Sequence, residues 1–185
     1  TIAQFADSSQ WSLDSQVMRS HQKHPRGNAL ILEYMAREYN VPSSFDKLIY
    51  ASQILQAEGI RIGLEAHRRS QPYCMGTLYW QLNDCWPVAS WSSIDYYGNW
   101  KALHYAVKEV FAQLALSLSL DKNNLLQVSA MSELAYEIDD TLEISIYNLD
   151  GLLLSTSREG VSIQANTSTD LKSLSNFSEH QIVIA

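Results

Sequence analysis

The sequence predicts an α/β part followed by an all-β part, because the spacing of its apolar residues changes along the chain. In residues 1–113 apolar side chains recur mostly at helical spacing, around one short apolar run. In residues 114–185 they alternate with polar side chains, as in half-buried strands. With 46% hydrophobic and 18% charged residues, the composition is that of a globular protein. We therefore expect two structural parts that meet near residue 113.

Helices account for most of the chain before residue 72. Asp14 or Ser15 can cap a first helix and Asn28 a second one, because short polar side chains accept hydrogen bonds from the unpaired amides of a first turn. A longer helical pattern starts near Ser44, with a capping sequence, and continues until Pro72 stops it. Glycines inside that pattern each lower the predicted helix stability by about 1 kcal/mol.

A strand, a loop and a helix are predicted in succession after Pro72. Residues 75–82 form a short apolar run that is typical of a buried strand, and a polar loop follows from Asn83. Residues 100–111 then have apolar side chains at helical spacing. Trp80, Asn83 and Asp84 are thus predicted at the C-terminal end of a strand. In α/β barrels the active site is built from such strand ends and the loops after them.

The second part predicts short antiparallel strands. They are LALSLSL (114–120), LEISIYNL (142–149), VSIQA (161–165) and QIVIA (181–185). Asp150-Gly151, between two apolar runs, predicts a hairpin turn, and residues 166–169 predict a loop. Strands at this spacing favour a sandwich. Asn166-Thr-Ser and Asn176-Phe-Ser match the N-glycosylation pattern, which matters only in a eukaryotic secretory host.

The segment from Cys74 to Tyr105 combines aromatic rings with amides and carboxylates. Its aromatic members include Trp80, Trp86, Trp91, Trp100, Tyr79, Tyr96, Tyr97 and Tyr105, and its polar members include Gln81, Asn83, Asp84 and Asp95. A pyranose offers apolar C–H faces to rings and hydroxyls to paired donors and acceptors, so this mixture suits a sugar site. A polar-aromatic core at a domain junction is the alternative, since buried indole and phenol groups also need hydrogen-bond partners.

Long stretches of the first part resemble the β-mannosidases of glycoside hydrolase family 2. The matching stretches are HQKHPRGN (21–28), VPSSFDKLIYASQ (41–53) and QAEGIRIGLEAHRRSQPYCMGTLYWQLNDCWPVASWSSIDYYGNWKALHY (56–105). The most specific run is YWQLND-x-WP-x-x-SWSSIDYYG. The resemblance implies the C-terminal portion of a (β/α)8 barrel over residues 1–113, followed by a partial immunoglobulin-like β-sandwich over residues 114–185.

The same resemblance implies a retaining exo-β-mannosidase that hydrolyses terminal β-D-mannose from β-mannosides or manno-oligosaccharides, with no cofactor. Trp80 would then stack beside the terminal mannose, and Asn83 and Asp84 would hold the loop or bind a hydroxyl. We expect the substrate and the rest of the same polypeptide as partners. If the parent enzyme carries a signal peptide upstream, a periplasmic, secreted or lysosomal location is favoured.

Both catalytic glutamates of the resembled family are missing from this sequence. One is an acid/base in an Asn-Glu pair and the other is a nucleophile in a Ser-Glu-Phe-Gly context, and neither string occurs here. The resemblance places the nucleophile shortly before Thr1. We therefore expect a fragment that is inactive alone, since a complete barrel needs about 250 residues. The alternative is a non-catalytic carbohydrate-binding or interaction module.

Charge and residue spacing argue against several other functions. A net charge of −7 disfavours nucleic acid or an anionic membrane as partner. No apolar run reaches the roughly 18 residues of a membrane span. The histidines and the two cysteines form no metal-ligand pattern. Cys74 and Cys85 flank the predicted strand, whose ends lie roughly 25 Å apart, so we expect free thiols.

Overall fold

The computed structural model describes residues 1–175 and 181–185, and the chain divides into two compact units. The first unit comprises Thr1–Gly63 and Leu78–Val110, and the second comprises Leu64–Thr77 and Phe111–Ala185. The second unit therefore contains a stretch of the chain that lies well before residue 114, in addition to the region predicted to form strands.

The helices of the described chain are α1 (Gln16–Ser20), α2 (Gly27–Glu38), α3 (Phe45–Arg69) and α4 (Ala102–Val110), with short 3-10 helices at Ile2–Gln4 and Ser8–Gln10. Of the two predicted caps, Asp14 and Ser15, it is Ser15 that caps α1, since its Oγ accepts a hydrogen bond from the Met18 amide at 3.1 Å. The prediction that Asn28 caps α2 is wrong. Asn28 lies inside the first turn, and its Nδ2 donates to the carbonyl of Leu13 at 2.7 Å instead.

Helix α3 runs for 25 residues without a break at either internal glycine. Open space surrounds the Cβ positions of Gly59 and Gly63, so no close packing requires glycine there. Leu48 of α3 packs with Leu13 and Met35 in a buried apolar cluster. Burying such side chains contributes about 1.5–3 kcal/mol each, and this offsets the helix-propensity cost of about 1 kcal/mol for each glycine.

The predicted strand over residues 75–82 is not formed. No ladder joins this segment to another among the described residues, and only Asn83, just beyond it, makes an isolated parallel bridge to Ile94. Alternate side chains nevertheless face solvent, with Leu78 96% and Trp80 74% exposed. A strand needs a neighbour that supplies N–H and C=O partners, so apolar alternation alone does not produce one.

The described part of the second unit contains two three-stranded antiparallel sheets. Their strands are β1 (Leu114–Leu120), β2 (Leu126–Ser132), β3 (Ile138–Asn148), β4 (Leu153–Ile163), β5 (Ser168–Leu174) and β6 (Gln181–Ile184). One sheet has the order β1-β2-β5, and the other has the order β4-β3-β6. The prediction of an antiparallel all-β part is confirmed.

Most predicted strands and turns of this unit are confirmed. The bounds of β1 are those predicted, and the stretch 142–149 lies mostly within β3. Asp150-Gly151 forms the turn between β3 and β4, where Gly151 has a φ of +81° that glycine adopts without strain. The stretch 161–165 supplies the end of β4, and 181–185 contains β6.

The strands β2 and β5 are not among the predicted strands, for different reasons. Every residue of β2 from Val128 to Ser132 is buried, so both faces of the strand are covered and the alternation disappears. β5 is rich in polar residues, and its first residue, Ser168, falls in the stretch predicted as a loop. Asn166 does lie in a turn, with a φ of +48°.

The two sheets pack on each other through a small apolar core. Val128 of β2 contacts Leu142 and Ile144 of β3 in a cluster of buried side chains. The partly buried residues around this cluster are Leu118, Val161, Leu171, Leu174, Val183 and Ala185. Because the members come from both sheets, the strands form a β-sandwich.

The other face of the β1-β2-β5 sheet is covered by the end of α3. Ser117 of β1 and Ser129 of β2 are direct cross-strand partners, and both are buried. Ser117 Oγ donates to Glu65 Oε2 at 2.6 Å, and Arg69 Nη1 donates to Ser117 Oγ at 2.5 Å. These polar contacts place the last turns of α3 within the second unit.

Arg68 fixes the same helix end from a more buried position. Its side chain is 4% exposed, and its guanidinium lies 3.5 Å from the Glu133 carboxylate. It donates to the carbonyls of Ala112 at 2.9 Å and Met131 at 3.3 Å. Burial lowers the pKa of the Arg68 guanidinium, and the nearby Glu133 carboxylate counteracts part of that effect. The buried charge is therefore compensated within this unit.

Three further predictions concern the cysteines, the glycosylation pattern at Asn176 and membrane-spanning helices. Cys74 and Cys85 are free thiols, as predicted. The glycosylation pattern that begins at Asn176 lies outside the described residues. No helix in residues 1–175 and 181–185 has the length and apolarity needed to cross a membrane.

Arg68→Met should lower the free energy of unfolding by about 2–4 kcal/mol, because it removes the charged donor from two backbone carbonyls. Arg158→Met is the matched control. Arg158 lies only 2.6 Å from Glu143, but its side chain is 71% exposed, and exposed pairs contribute about 1 kcal/mol or less. Urea unfolding of both variants measures the difference. Equal losses would contradict the role given to burial.

Candidate functional site

Trp80 stands at the start of a loop in the first unit, here called the Trp80 loop and defined as residues 80–101. Its indole is 74% exposed. The peptide bond between Trp80 and Gln81 is cis. Because it is exposed, the indole of Trp80 has a ring surface that a ligand could contact.

Asp84 lies in the same loop but is buried, at 6% exposure. Its carboxylate accepts hydrogen bonds from Ser90 Oγ and Ser92 Oγ, each at 2.6 Å. The Lys101 ammonium lies 3.1 Å from the same carboxylate. A buried charge is tolerated only when it is paired and hydrogen-bonded, and these contacts meet that requirement. The sequence leaves two roles open for Asp84, holding the loop and binding a sugar hydroxyl. These contacts favour the first.

Asn83 lies between Trp80 and Asp84 in the sequence, and it is exposed. Its Nδ2 donates to the Asp84 carbonyl at 3.3 Å, and its own carbonyl accepts from Gln81 Nε2 at 2.7 Å. Both contacts are local to the turn. The Asn83 side chain is thus exposed beside Trp80 in sequence, whereas Asp84 points into the protein.

The backbone that follows Trp80 is held by the far side of the loop. The Ser93 amide donates to the Gln81 carbonyl at 3.0 Å, and the Ile94 amide donates to the Leu82 carbonyl at 2.8 Å. Trp91 Nε1 donates to Gln81 Oε1 at 3.0 Å. Residues 91–94 therefore fix the main chain and the side chain next to Trp80.

The groups that organise this loop have no clear sequence signal. Ser90, Ser92 and Lys101 were not among the predicted site residues, although each contacts Asp84. No periodicity marks them, because they lie on irregular backbone. An aspartate followed by several serines and a lysine is the one available signal, and it is weak without a structure.

The aromatic residues of the 74–105 segment make several ring contacts. Trp100 packs against His104 and Tyr105 of α4, with ring centroids 4.4 Å and 5.2 Å away. Trp86 lies 5.4 Å from the ring of His21. The structure thus divides the predicted aromatic group into separate packing contacts, with Trp80 at a different point of the loop.

A largely apolar groove of about 880 Å³ also lies in the first unit. Its walls include Leu13, Met18, Ile31, Phe45, Leu48, Gln56, Trp91 and Asp95. The described residues that line this groove do not include Trp80, Asn83 or Asp84. Such a surface suits an apolar partner better than a sugar, whose hydroxyls need paired polar groups. No group of three or more potential metal-ligating side chains occurs in the described residues.

Asp95 closes the turn at the end of the loop. It is 5% exposed and accepts hydrogen bonds from the amides of Tyr97 and Asn99, at 2.9 Å and 2.8 Å, and from the Thr1 hydroxyl. Burial alone raises the pKa of Asp95. The hydrogen bonds from Thr1, Asn99 and Tyr97 outweigh burial, and the pKa lies below its ordinary value.

Comparisons with known proteins point to one group of enzymes. The profile of the Mannosidase Ig/CBM-like domain matches residues 124–181. Over 167 residues the chain is 31% identical to a β-mannosidase of Capra hircus, a match that covers 83% of this chain and 19% of the relative. Over 175 residues it is 29% identical to β-mannosidase B of Emericella nidulans, covering 85% of this chain and 21% of the relative. The chain spans about a fifth of the length of these relatives.

Solved structures agree with these relatives. A β-D-mannosidase from Dictyoglomus thermophilum matches with a TM-score of 0.87 and 30% identity, over 94% of this chain and 21% of that one. The exo-chitosanase CsxA of Amycolatopsis orientalis matches with a TM-score of 0.80 and 18% identity, over 98% of this chain and 23% of that one. At that identity the second match establishes the fold alone.

Asp95→Asn should destabilise the protein by about 1 kcal/mol near pH 7, the difference between charged and neutral hydrogen bonds. Because the pKa of Asp95 is lower in the folded protein than in the unfolded chain, where it is about 3.9, the unfolded chain binds the proton first as the pH falls. The wild-type protein thus loses this stability below about pH 4, and the variant does not.

The measurement is the melting temperature of the wild type and of Asp95→Asn between pH 3 and pH 7. The difference between the two proteins should shrink below about pH 4. Asp7→Asn is the control, since Asp7 is exposed and its side chain caps no helix. A difference between wild type and Asp95→Asn that stays constant over the whole pH range would contradict the role of the ionised carboxylate.

Proposed function

The chain is related to the β-mannosidases of glycoside hydrolase family 2, and we propose that it forms part of a retaining exo-β-mannosidase, which removes terminal β-D-mannose from β-mannosides. The observation that carries the proposal is the match to a β-D-mannosidase structure over 94% of this chain, with 30% identity. We assign residues 1–113 to the end of the catalytic barrel and residues 114–185 to the immunoglobulin-like β-sandwich that follows it.

Trp80 is the proposed contact to the terminal sugar. Its 74% exposed indole offers a flat apolar surface to the C–H face of a pyranose. Asn83, exposed nearby in the chain, is proposed to bind a hydroxyl or hold the turn. Asp84 is proposed to hold the loop, because Ser90, Ser92 and Lys101 already occupy its carboxylate.

The barrel assignment is supported by apolar surface that the described chain leaves open. Leu78 is 96% exposed, and the exposed residues 78, 80 and 82 alternate with the less exposed residues 77, 79 and 81. Large exposed apolar patches mark contact surfaces. We propose that residues 75–82 are the last barrel strand and pair with other strands of the same polypeptide, whose apolar side chains also fill the groove beside α3.

A retaining mechanism needs a carboxylic acid and a carboxylate nucleophile roughly 5 Å apart. We expect both in other parts of the enzyme, since neither glutamate motif occurs in this chain. This chain would then contribute binding and orientation: the Trp80 ring forms a wall of the sugar site, and the Asp84 network holds that wall in place.

A non-catalytic carbohydrate-binding module is the second candidate. The match of residues 124–181 to the Mannosidase Ig/CBM-like profile favours it specifically. Calorimetric titration of the isolated chain with manno-oligosaccharides separates the candidates. Tight binding that survives Trp80→Ala would place recognition in the sandwich and favour the module.

The isolated chain of 185 residues should not hydrolyse aryl β-mannosides, because it encodes no pair of carboxylates in the two catalytic contexts. Release of the aryl group from purified chain is measured against a buffer blank. Turnover above the blank would contradict the proposal. Its loss on Asp84→Asn, or on substitution of Asp95, would assign the activity to this chain and not to a contaminating enzyme.

In the complete enzyme, Trp80→Ala should lower kcat and kcat/KM for mannosides by roughly 10²-fold or more while the fold stays intact. A stacking contact of a few kcal/mol that strengthens in the transition state has this effect, at about 1.36 kcal/mol per tenfold change in rate. The melting temperature of the complete enzyme should change little, because the proposed contact of the ring is with the sugar and not with core side chains.

Trp91→Ala is the matched control for that variant. Trp91 is less exposed and its indole hydrogen-bonds Gln81, so its truncation should cost about 3–5 kcal/mol of stability. If Trp80→Ala lowers the melting temperature as much as Trp91→Ala and leaves kcat/KM of the folded fraction unchanged, Trp80 is a packing residue.

A further inference from the structure

We propose that Lys101 is a positioning residue that holds Trp80 in place from the far end of the loop. The inference rests on the proposed function, in which Trp80 contacts the sugar. Lys101 immediately precedes α4, and its ammonium lies 3.1 Å from the Asp84 carboxylate and 2.8 Å from Ser92 Oγ. Its side chain is 12% exposed, so its charge is compensated inside the protein and is not presented to a ligand.

Lys101 binds the segment 90–94 through both its side chain and its main chain. Ser92 Oγ bridges the two charges, because it donates to Asp84 at 2.6 Å and accepts from Lys101. The Lys101 amide donates to the Ser93 carbonyl at 2.9 Å. The ion pair and one backbone hydrogen bond from Lys101 therefore both hold this segment.

The same segment holds the residues that follow Trp80. The Ser93 and Ile94 amides donate to the carbonyls of Gln81 and Leu82, at 3.0 Å and 2.8 Å. Loss of the Lys101 charge would leave the Asp84 carboxylate buried without its cation, which favours a rearrangement of the loop that hydrates it. That rearrangement would release the Gln81 carbonyl and with it the orientation of Trp80.

The first experiment is independent of catalysis. Lys101→Met in the chain of 185 residues should accelerate hydrogen exchange of the Ser93 and Ile94 amides by at least about tenfold, the effect of losing one charged hydrogen bond. Amides of the sandwich core such as Val128 should be unaffected, because the effect is local. NMR-detected exchange resolves these sites individually.

Two further variants keep the test decisive. Asp84→Asn combined with Lys101→Met removes both charges together and leaves no buried charge uncompensated, so it should fold. Its Ser93 and Ile94 amides should exchange faster than in wild type, because the Lys101 hydrogen bond to Ser92 Oγ is lost, but more slowly than in Lys101→Met. Lys108→Met is the matched control, since Lys108 is an exposed lysine of α4 that lies 6.0 Å from the Trp100 ring. It should leave the Ser93 and Ile94 amides unchanged.

The second experiment measures the consequence in the complete enzyme. Lys101→Met should lower kcat for an aryl β-mannoside by up to about 10²-fold, as a displacement of about 1 Å does, with a smaller change in KM, and Lys108→Met should not. If folded Lys101→Met protein shows wild-type exchange at Ser93 and Ile94, the positioning role is wrong. If wild-type enzyme hydrolyses no mannoside, the proposed function is wrong, and the exchange experiment alone decides the role of Lys101.

Discussion

A charge that is removed from water must be compensated, and this constraint organises the irregular backbone of both units. In the first unit, Ser90, Ser92 and Lys101 converge on the buried carboxylate of Asp84. In the second unit, Arg68 donates to two backbone carbonyls and pairs with Glu133. Leaving such a charge unpaired costs about 3–5 kcal/mol, which is comparable to truncating a large core side chain. Ionic contacts therefore specify backbone paths where apolar packing is sparse.

A second constraint concerns apolar surface. The first unit exposes more apolar surface than the contacts within the described chain cover. Leu78 is 96% exposed, and the groove beside α3 has a volume of about 880 Å³. Segment 75–82 keeps the side-chain alternation of a strand without a ladder partner. All three features have one physical explanation in the proposed barrel, where neighbouring strands supply both the ladder and the apolar cover.

What the sequence predicts well is structure that depends on local pattern. The alternation of 114–120 predicts β1 with its bounds, and Ser15 predicts the cap of α1. The pattern fails where neighbours in space decide. β2 loses its alternation because both of its faces are buried, and 75–82 forms no strand without a partner. The contacts of Asp84 with Ser92 and Lys101 are equally invisible in sequence, because they join distant points of an irregular loop.

Within the candidate site, the difference in burial between Trp80 and Asp84 fits the different roles proposed for them. A side chain that stacks on a sugar must keep an open ring face, and Trp80 is 74% exposed. A side chain that holds a loop must satisfy its hydrogen bonds inside the protein, and Asp84 is 6% exposed with its oxygens occupied. The two residues are close in sequence, but they belong to different layers of the site. In the proposed sugar site this polar network need not touch the ligand, because its proposed role is to hold the segment that fixes Gln81, next to Trp80.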